Sequence, residues 1–154
     1  MKAIILAGGR GKRLRPITDY VPKSLVPVKN TPIIEWQIKY LKKYGVNEVI
    51  VCTGYKTKMI ENYLSMKNLG VKIKFSIEKL PLGTGGAIKK AGKMINDKSF
   101  FVINGDTITN IDLTKLAKKP NAIASIELRT KFGILETNGN KISKFKEKKD
   151  ISHL

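Results

Sequence analysis

The sequence predicts an α/β fold in three layers: a mostly parallel sheet with helices on both faces. Three observations predict it. Apolar runs of strand length alternate with amphipathic runs of helical period from residue 2 to residue 119. A helix stands between successive strands, and such crossovers are right-handed and pair the strands in parallel. The first, second and fourth strands are nearly continuous apolar stretches, as burial on both faces requires.

The elements follow in order. KAIILA (2–7) reads as a buried first strand. PIIEWQIKYLKKYG (32–45) reads as a helix, with Pro32 in the first turn, Ile33, Trp36, Tyr40 and Leu41 on one face, and Gly45 as the stop. NEVIVCTG (47–54) is a second strand and KTKMIENYLSMK (56–67) an amphipathic helix. VKIKFSI (71–77) alternates as a strand, and TGGAIKKAGKMI (84–95) is a helix with Ala87, Ile88, Ala91 and Ile95 inward. SFFVING (99–105) is a fourth strand and DLTKLAKK (112–119) a short helix. NAIASIEL, FGILET and KISKFKE read as three further strands. No repeat or linker interrupts the pattern, so residues 1–154 are expected to form a single domain.

Composition narrows the function classes. At 42% hydrophobic residues the chain should fold. No apolar run approaches the roughly 20 residues that span a bilayer, and MKAIIL is too short for a secretory core, so no membrane partner is expected. The one cysteine, Cys52, lies in an apolar strand, and the one histidine, His153, stands next to the C-terminus. Together they argue against a zinc site built by the protein and favour a reducing, cytoplasmic setting. The net charge of +18 raises the question of nucleic acid. Lysines are spread over the whole chain, however, and aromatic residues, at 7%, do not interleave with them as stacking platforms. The expectation is no nucleic-acid partner, a solvated lysine surface, and a few cations that meet phosphorylated small molecules.

In a parallel sheet ligands bind outside the carboxyl ends of the strands. The stretches that follow the four strands are GGRGKRLRP, Thr53-Gly54-Tyr55, Glu78 with LPLGTGGA, and Asn104-Gly105-Asp106-Thr107. All four should leave the sheet at one edge and outline one site.

The first of them gathers Arg10, Lys12, Arg13, Arg15 and Lys23 against Asp19 alone. It is not a Walker A loop, because Arg13 follows Lys12 where a serine or threonine is needed. Nor is it the dinucleotide fingerprint, because Leu14 replaces the third glycine. Pro16 and Pro22 argue against a regular helix behind it. What remains is a glycine-rich turn whose N–H groups can face an anion, with cations beside it. Solvated basic residues on a tight turn are the bland alternative. Asp106, at a strand end, suits Mg²⁺, which takes one or two carboxylates plus substrate phosphates and waters; a turn aspartate is the alternative. Gly83, Gly85 and Gly86 allow close approach to a flat ligand, and Thr84 can cap the helix that follows. Glu78, a pure acceptor, would suit guanine's N–H edge better than uracil or thymine.

LAGGRGKRLRPIT, PKSLVPV, PIIEWQIKYL, PLGTGGAI and NGDT, in this order, resemble the sugar-1-phosphate nucleotidylyltransferases, or NDP-sugar pyrophosphorylases. The resemblance covers about residues 1–148 and is strongest to members acting on mannose- or heptose-1-phosphate with guanine nucleotides. It implies a three-layer Rossmann-like nucleotidyltransferase fold and a reaction in which a sugar-1-phosphate attacks the α-phosphate of a nucleoside triphosphate. It implies catalytic roles for Arg13 on the pyrophosphate, Lys23 on the α-phosphate and Asp106 on Mg²⁺. Leu6, Ala7, Gly8, Gly9, Arg10, Gly11 and Lys12 would wrap the nucleotide, with Glu78, Gly83 and Thr84 at the base. GTP is the slightly favoured triphosphate. Gly133, in Phe132-Gly133-Ile134, would face the sugar, Glu147 a sugar hydroxyl and Lys148 the sugar phosphate. Members of that family often assemble as homo-oligomers.

Two departures stand out. Lys12 replaces the usual threonine or serine, which adds a cation. The chain also stops at Leu154, where the resemblance implies further strands and a second metal-binding aspartate. A fold truncated at its C-terminal side is therefore expected, and with it an uncovered sheet edge or apolar face. A non-catalytic nucleotide- or sugar-phosphate-binding module, or an inactive fragment, is the alternative reading.

Overall fold

A computed structural model describes residues 1–119, 121–125, 128–129, 134–146 and 150–151. The chain divides into two compact units, Met1–Thr114 and Lys115–Leu154.

The first unit is built on four strands: β1 (Lys2–Leu6), β4 (Glu48–Thr53), β5 (Lys72–Ile77) and β6 (Phe100–Asn104). They pair in parallel in the order β5-β4-β1-β6. A two-rung hairpin, β2 (Pro27–Val28) and β3 (Thr31–Pro32), leads into α2 (Ile33–Lys43). Helices α3 (Thr57–Ser65) and α4 (Gly83–Gly92) make the other crossovers. The chain steps outward from β1 to β4 to β5 and then returns past β1 to β6. Right-handed crossovers therefore put α2 and α3 on one face and α4 on the other. The strand order reverses between β1 and β6, and ligand crevices form at such a point.

The pleat divides the core. Ile4, Ile50 and Cys52 form a buried cluster with Ala87 and Ala91 of α4. Small residues on the helix let it approach the sheet closely. Ala3, Ile5, Val49 and Val51, also fully buried, alternate with them and so point to the opposite face. Burying each isoleucine stabilises the fold by about 1.5–3 kcal/mol. Burial, with the Glu78 carboxylate as a lesser cause, pushes the Cys52 thiol up to about 11, so it behaves as a core hydrophobe.

Several expectations need correction. Helix α2 turns Ile34, Ile38 and Leu41 inward with Gln37, while Trp36 is 39% exposed. The Trp36 indole N–H donates to the Val28 carbonyl at 3.0 Å, so the hairpin draws the ring away from the core. Pro16 and Pro22 do not exclude helix. Each caps a short turn, α1 (Ile17–Tyr20) and a 3₁₀ turn (Lys23–Leu25), at a position where the missing N–H costs nothing. Thr84 does not cap α4, which starts at Gly83 with Leu82 at the cap position and no side-chain cap.

In the second unit β8 (Ile134–Asn138) and β9 (Lys141–Lys146) form an antiparallel hairpin, and β7 (Leu128–Arg129) pairs with β10 (Asp150–Ile151). NAIASIEL forms strand only at its last residue among those described, and Ile123 is 91% exposed. Among the described residues, β7 pairs with β10 at Arg129 and Leu128. Helix α5 (Leu113–Ala117) joins the units in sequence. Among the described residues no helix is long and apolar enough to cross a membrane.

Candidate active site

All four post-strand stretches of the first unit line one cleft of about 770 Å³ at the carboxyl edge of the sheet. That volume lies in the range of small-molecule sites. Leu6, Ala7, Gly8, Gly9, Arg10, Gly11, Lys12 and Arg13 line it from the first loop, with Lys23 beyond them. Glu78, Gly83 and Thr84 line it after β5, and Asp106 after β6. Thirteen of the sixteen sequence-selected site residues thus meet in one place. Gly133, Glu147 and Lys148 lie outside the described residues.

The backbone is shaped for close approach at two glycines. Gly105 leaves β6 with its N–H on the Leu6 carbonyl at 2.7 Å. A Cβ there would lie 2.5 Å from that same oxygen, so only glycine lets β6 hand Asp106 to the rim beside β1. Gly11 takes φ +62°, which turns the chain into a 3₁₀ turn at Lys12–Leu14.

Charge is unbalanced in the cleft. Arg10, Lys12, Arg13, Lys23, Lys56 and Lys79 line it against the carboxylates of Glu78 and Asp106. Such an excess suits a ligand carrying several negative charges. Arg15 does not join them: its guanidinium pairs with Asp19 at 3.0 Å and it does not line the cleft. Lys23 and Asp106 meet at 2.5 Å, with side chains 35% and 40% exposed.

Glu78 holds the far side. Its Oε2 accepts the Leu82 N–H at 3.2 Å, so a carboxylate stands at the start of α4. Its Oε1 would lie 3.1 Å from a Cβ on Gly8, which places that oxygen against the first loop.

Two supporting residues escaped the sequence reading. Gln37, 2% exposed, donates through Nε2 to the carbonyls of Asn104 at 2.5 Å and Thr107 at 2.8 Å, bracketing Asp106. Its signal was a polar side chain on the apolar face of α2. Thr18, 1% exposed, donates to the Gly11 carbonyl at 3.0 Å. Nothing in the local pattern marks it.

The donor set can be tested against Mg²⁺. Among the described residues no group of three metal-ligating His, Cys, Asp or Glu side chains occurs. Asp106 alone, a hard oxygen donor already holding a cation, fits the ion only in the mode in which substrate phosphates and waters complete the shell.

A model of the nucleotidyl transferase family matches residues 2–152. The chain belongs to the nucleotidyl transferase family. Among its relatives is D-glycero-α-D-manno-heptose 1-phosphate guanylyltransferase of Aneurinibacillus thermoaerophilus, 41% identical over 96% of this chain and 68% of the relative. Mannose-1-phosphate guanylyltransferase catalytic subunit beta of Dictyostelium discoideum is 39% identical over 98% of this chain and 46% of the relative. The crystal structure of HddC from Yersinia pseudotuberculosis complexed with GMP-PN superposes with a TM-score of 0.76 at 34% identity, covering 96% of this chain and 69% of that one. The chain therefore spans about half to two thirds of the length of these family members.

Proposed function

We propose that this nucleotidyl transferase chain binds a nucleoside triphosphate and transfers its nucleotidyl group to a sugar-1-phosphate. An oxygen of the sugar phosphate forms a bond to the α-phosphorus. The bond from that phosphorus to the α,β-bridging oxygen breaks, and pyrophosphate leaves with the electron pair. No protein nucleophile is needed; positioning and charge neutralisation carry such a step. The observation that carries the reading is the placement of Lys23 and Asp106 together beside the glycine-rich loop.

In this reading Arg13 and Lys12 hold the departing pyrophosphate, and the Gly8–Gly11 backbone donates to the triphosphate. Lys23 leaves Asp106 for the α-phosphate, where negative charge crowds in the transition state. Asp106 is then free to hold Mg²⁺, which when bound neutralises phosphate charge. Glu78 and Gly83 read the base. Guanine is favoured: a carboxylate accepts from its N–H edge, and both named relatives are guanylyltransferases. Gly133, Glu147 and Lys148 serve the sugar phosphate. The reading sets this chemistry in the cytoplasm, a reducing compartment compatible with the buried thiol of Cys52.

The test is incubation of the chain with Mg²⁺, each triphosphate and a panel of sugar-1-phosphates, following pyrophosphate. Release that needs both substrates supports transfer. Triphosphate binding without pyrophosphate, across the panel, leaves a nucleotide-binding module instead.

A further inference from the structure

The loop that carries Arg10, Lys12 and Arg13 contains no helix longer than a single turn. A cradle of backbone N–H groups nevertheless works only if it is fixed before the anion arrives. Two side chains supply the fixing. The Thr18 hydroxyl donates to the Gly11 carbonyl at 3.0 Å, and the Thr18 carbonyl accepts from the Tyr55 hydroxyl at 2.9 Å. Tyr55, from the loop after β4, also donates its own N–H to the Gly8 carbonyl at 3.1 Å. Both ends of the Gly8–Gly11 turn are thus tied to one residue, directly at Gly8 and through Thr18 at Gly11. Space is as tight as the bonding: a Cβ on Gly11 would lie 2.9 Å from Thr18 Cγ2. The Tyr55 ring has the Arg10 guanidinium 6.0 Å and the Lys56 ammonium 5.4 Å from its centroid, which restrains two of the cleft's cations.

We propose that Thr18 and Tyr55 are positioning residues that preset the glycine-rich turn for a polyphosphate. The proposal rests on the triphosphate reading and deepens it, since it assigns part of the affinity to a hydroxyl relay from Tyr55 through Thr18 to Gly11. With a link missing, the turn must be ordered by the ligand itself, and affinity falls by that cost.

The experiment is calorimetric titration of the whole chain with tripolyphosphate, a probe with no base or sugar, and separately with guanosine. Thr18→Val removes the donor and nearly keeps the shape; Tyr55→Phe removes the hydroxyl and keeps the ring. Each is expected to weaken tripolyphosphate about tenfold, the scale of one well-made hydrogen bond. Thr18→Ser keeps the donor and should restore wild-type affinity. The double variant should lose less than the product of the two single losses, because the bonds lie in series. Guanosine affinity should not move in any variant. Should Thr18→Val fail to fold, Tyr55→Phe interrupts the same relay. Unchanged tripolyphosphate affinity in the folded variants, even with a lowered melting temperature, overturns the relay and leaves the triphosphate reading standing. A wild-type chain that binds neither tripolyphosphate nor GTP overturns both.

Discussion

Lys23 and Asp106, 83 residues apart in the chain, close a 2.5 Å ion pair at the rim of the cleft. Each side chain is more than a third exposed, so the pair contributes only about 0–1 kcal/mol to folding. In the proposed reaction a phosphate and a metal ion would each claim one of these two charges.

Lys23→Ala and Asp106→Asn are therefore expected to leave stability within about 1 kcal/mol of wild type. Turnover should fall by a factor of about 10² or more, as when a group stabilising transition-state charge is removed. Urea unfolding and pyrophosphate release measure the two effects. Near-normal turnover in either variant would remove that residue from the catalytic set.

Gly105→Ala should affect both stability and the site. The added methyl would meet the Leu6 carbonyl at 2.5 Å, and neither strand can give way without breaking the β1–β6 register. A loss of about 1–3 kcal/mol is expected from overpacking, read from the denaturation midpoint. Triphosphate affinity should fall with it.

Gln37→Met keeps the length of the side chain but removes its two donated bonds. The Asn104 and Thr107 carbonyls would lose a buried donor. The expected cost is about 1–3 kcal/mol in urea unfolding.

Two buried carboxylates predict weakening in acid. A hydrogen bond from Lys39, then one from Tyr63, holds Glu35 below the ordinary carboxylate value of 4.5. Lys74, with Lys2 and Lys72 farther down, does the same for Glu48. A folded carboxyl below its unfolded value stabilises the native state above the unfolded value. That contribution is lost as pH falls through the lower, folded value. The wild-type urea midpoint should hold from about pH 7 to about pH 5 and then drop toward about pH 3. In Glu35→Gln the drop should be shallower, and an equally steep drop would contradict the assignment.

Much of this was legible in the sequence because it is local. Apolar runs such as KAIIL and EVIVCT declare strands, and the residues just after them must lie on one rim once the strands are parallel. What was hidden depends on distant partners. Gln37 faces inward because its acceptors lie 67 and 70 residues away, and Trp36 faces outward because Val28 is there to accept its N–H. Arg15, by contrast, pairs with Asp19 only four residues on, a local contact whose spacing the sequence displays. At the start of α4, which has no side-chain cap, Glu78 accepts the N–H of the cap residue Leu82, four residues on. The Gln37 contacts follow from tertiary placement and leave no periodic trace.

The most direct measurement compares calorimetric titrations of the chain with GTP and with guanosine at low and high salt. Cations and amides gathered around a triphosphate predict that GTP binds at least about tenfold tighter at low salt, an advantage that salt erodes. Arg13→Ala with Lys23→Ala should abolish that advantage. Equal affinity for GTP and guanosine in the wild-type chain at low salt would contradict the account.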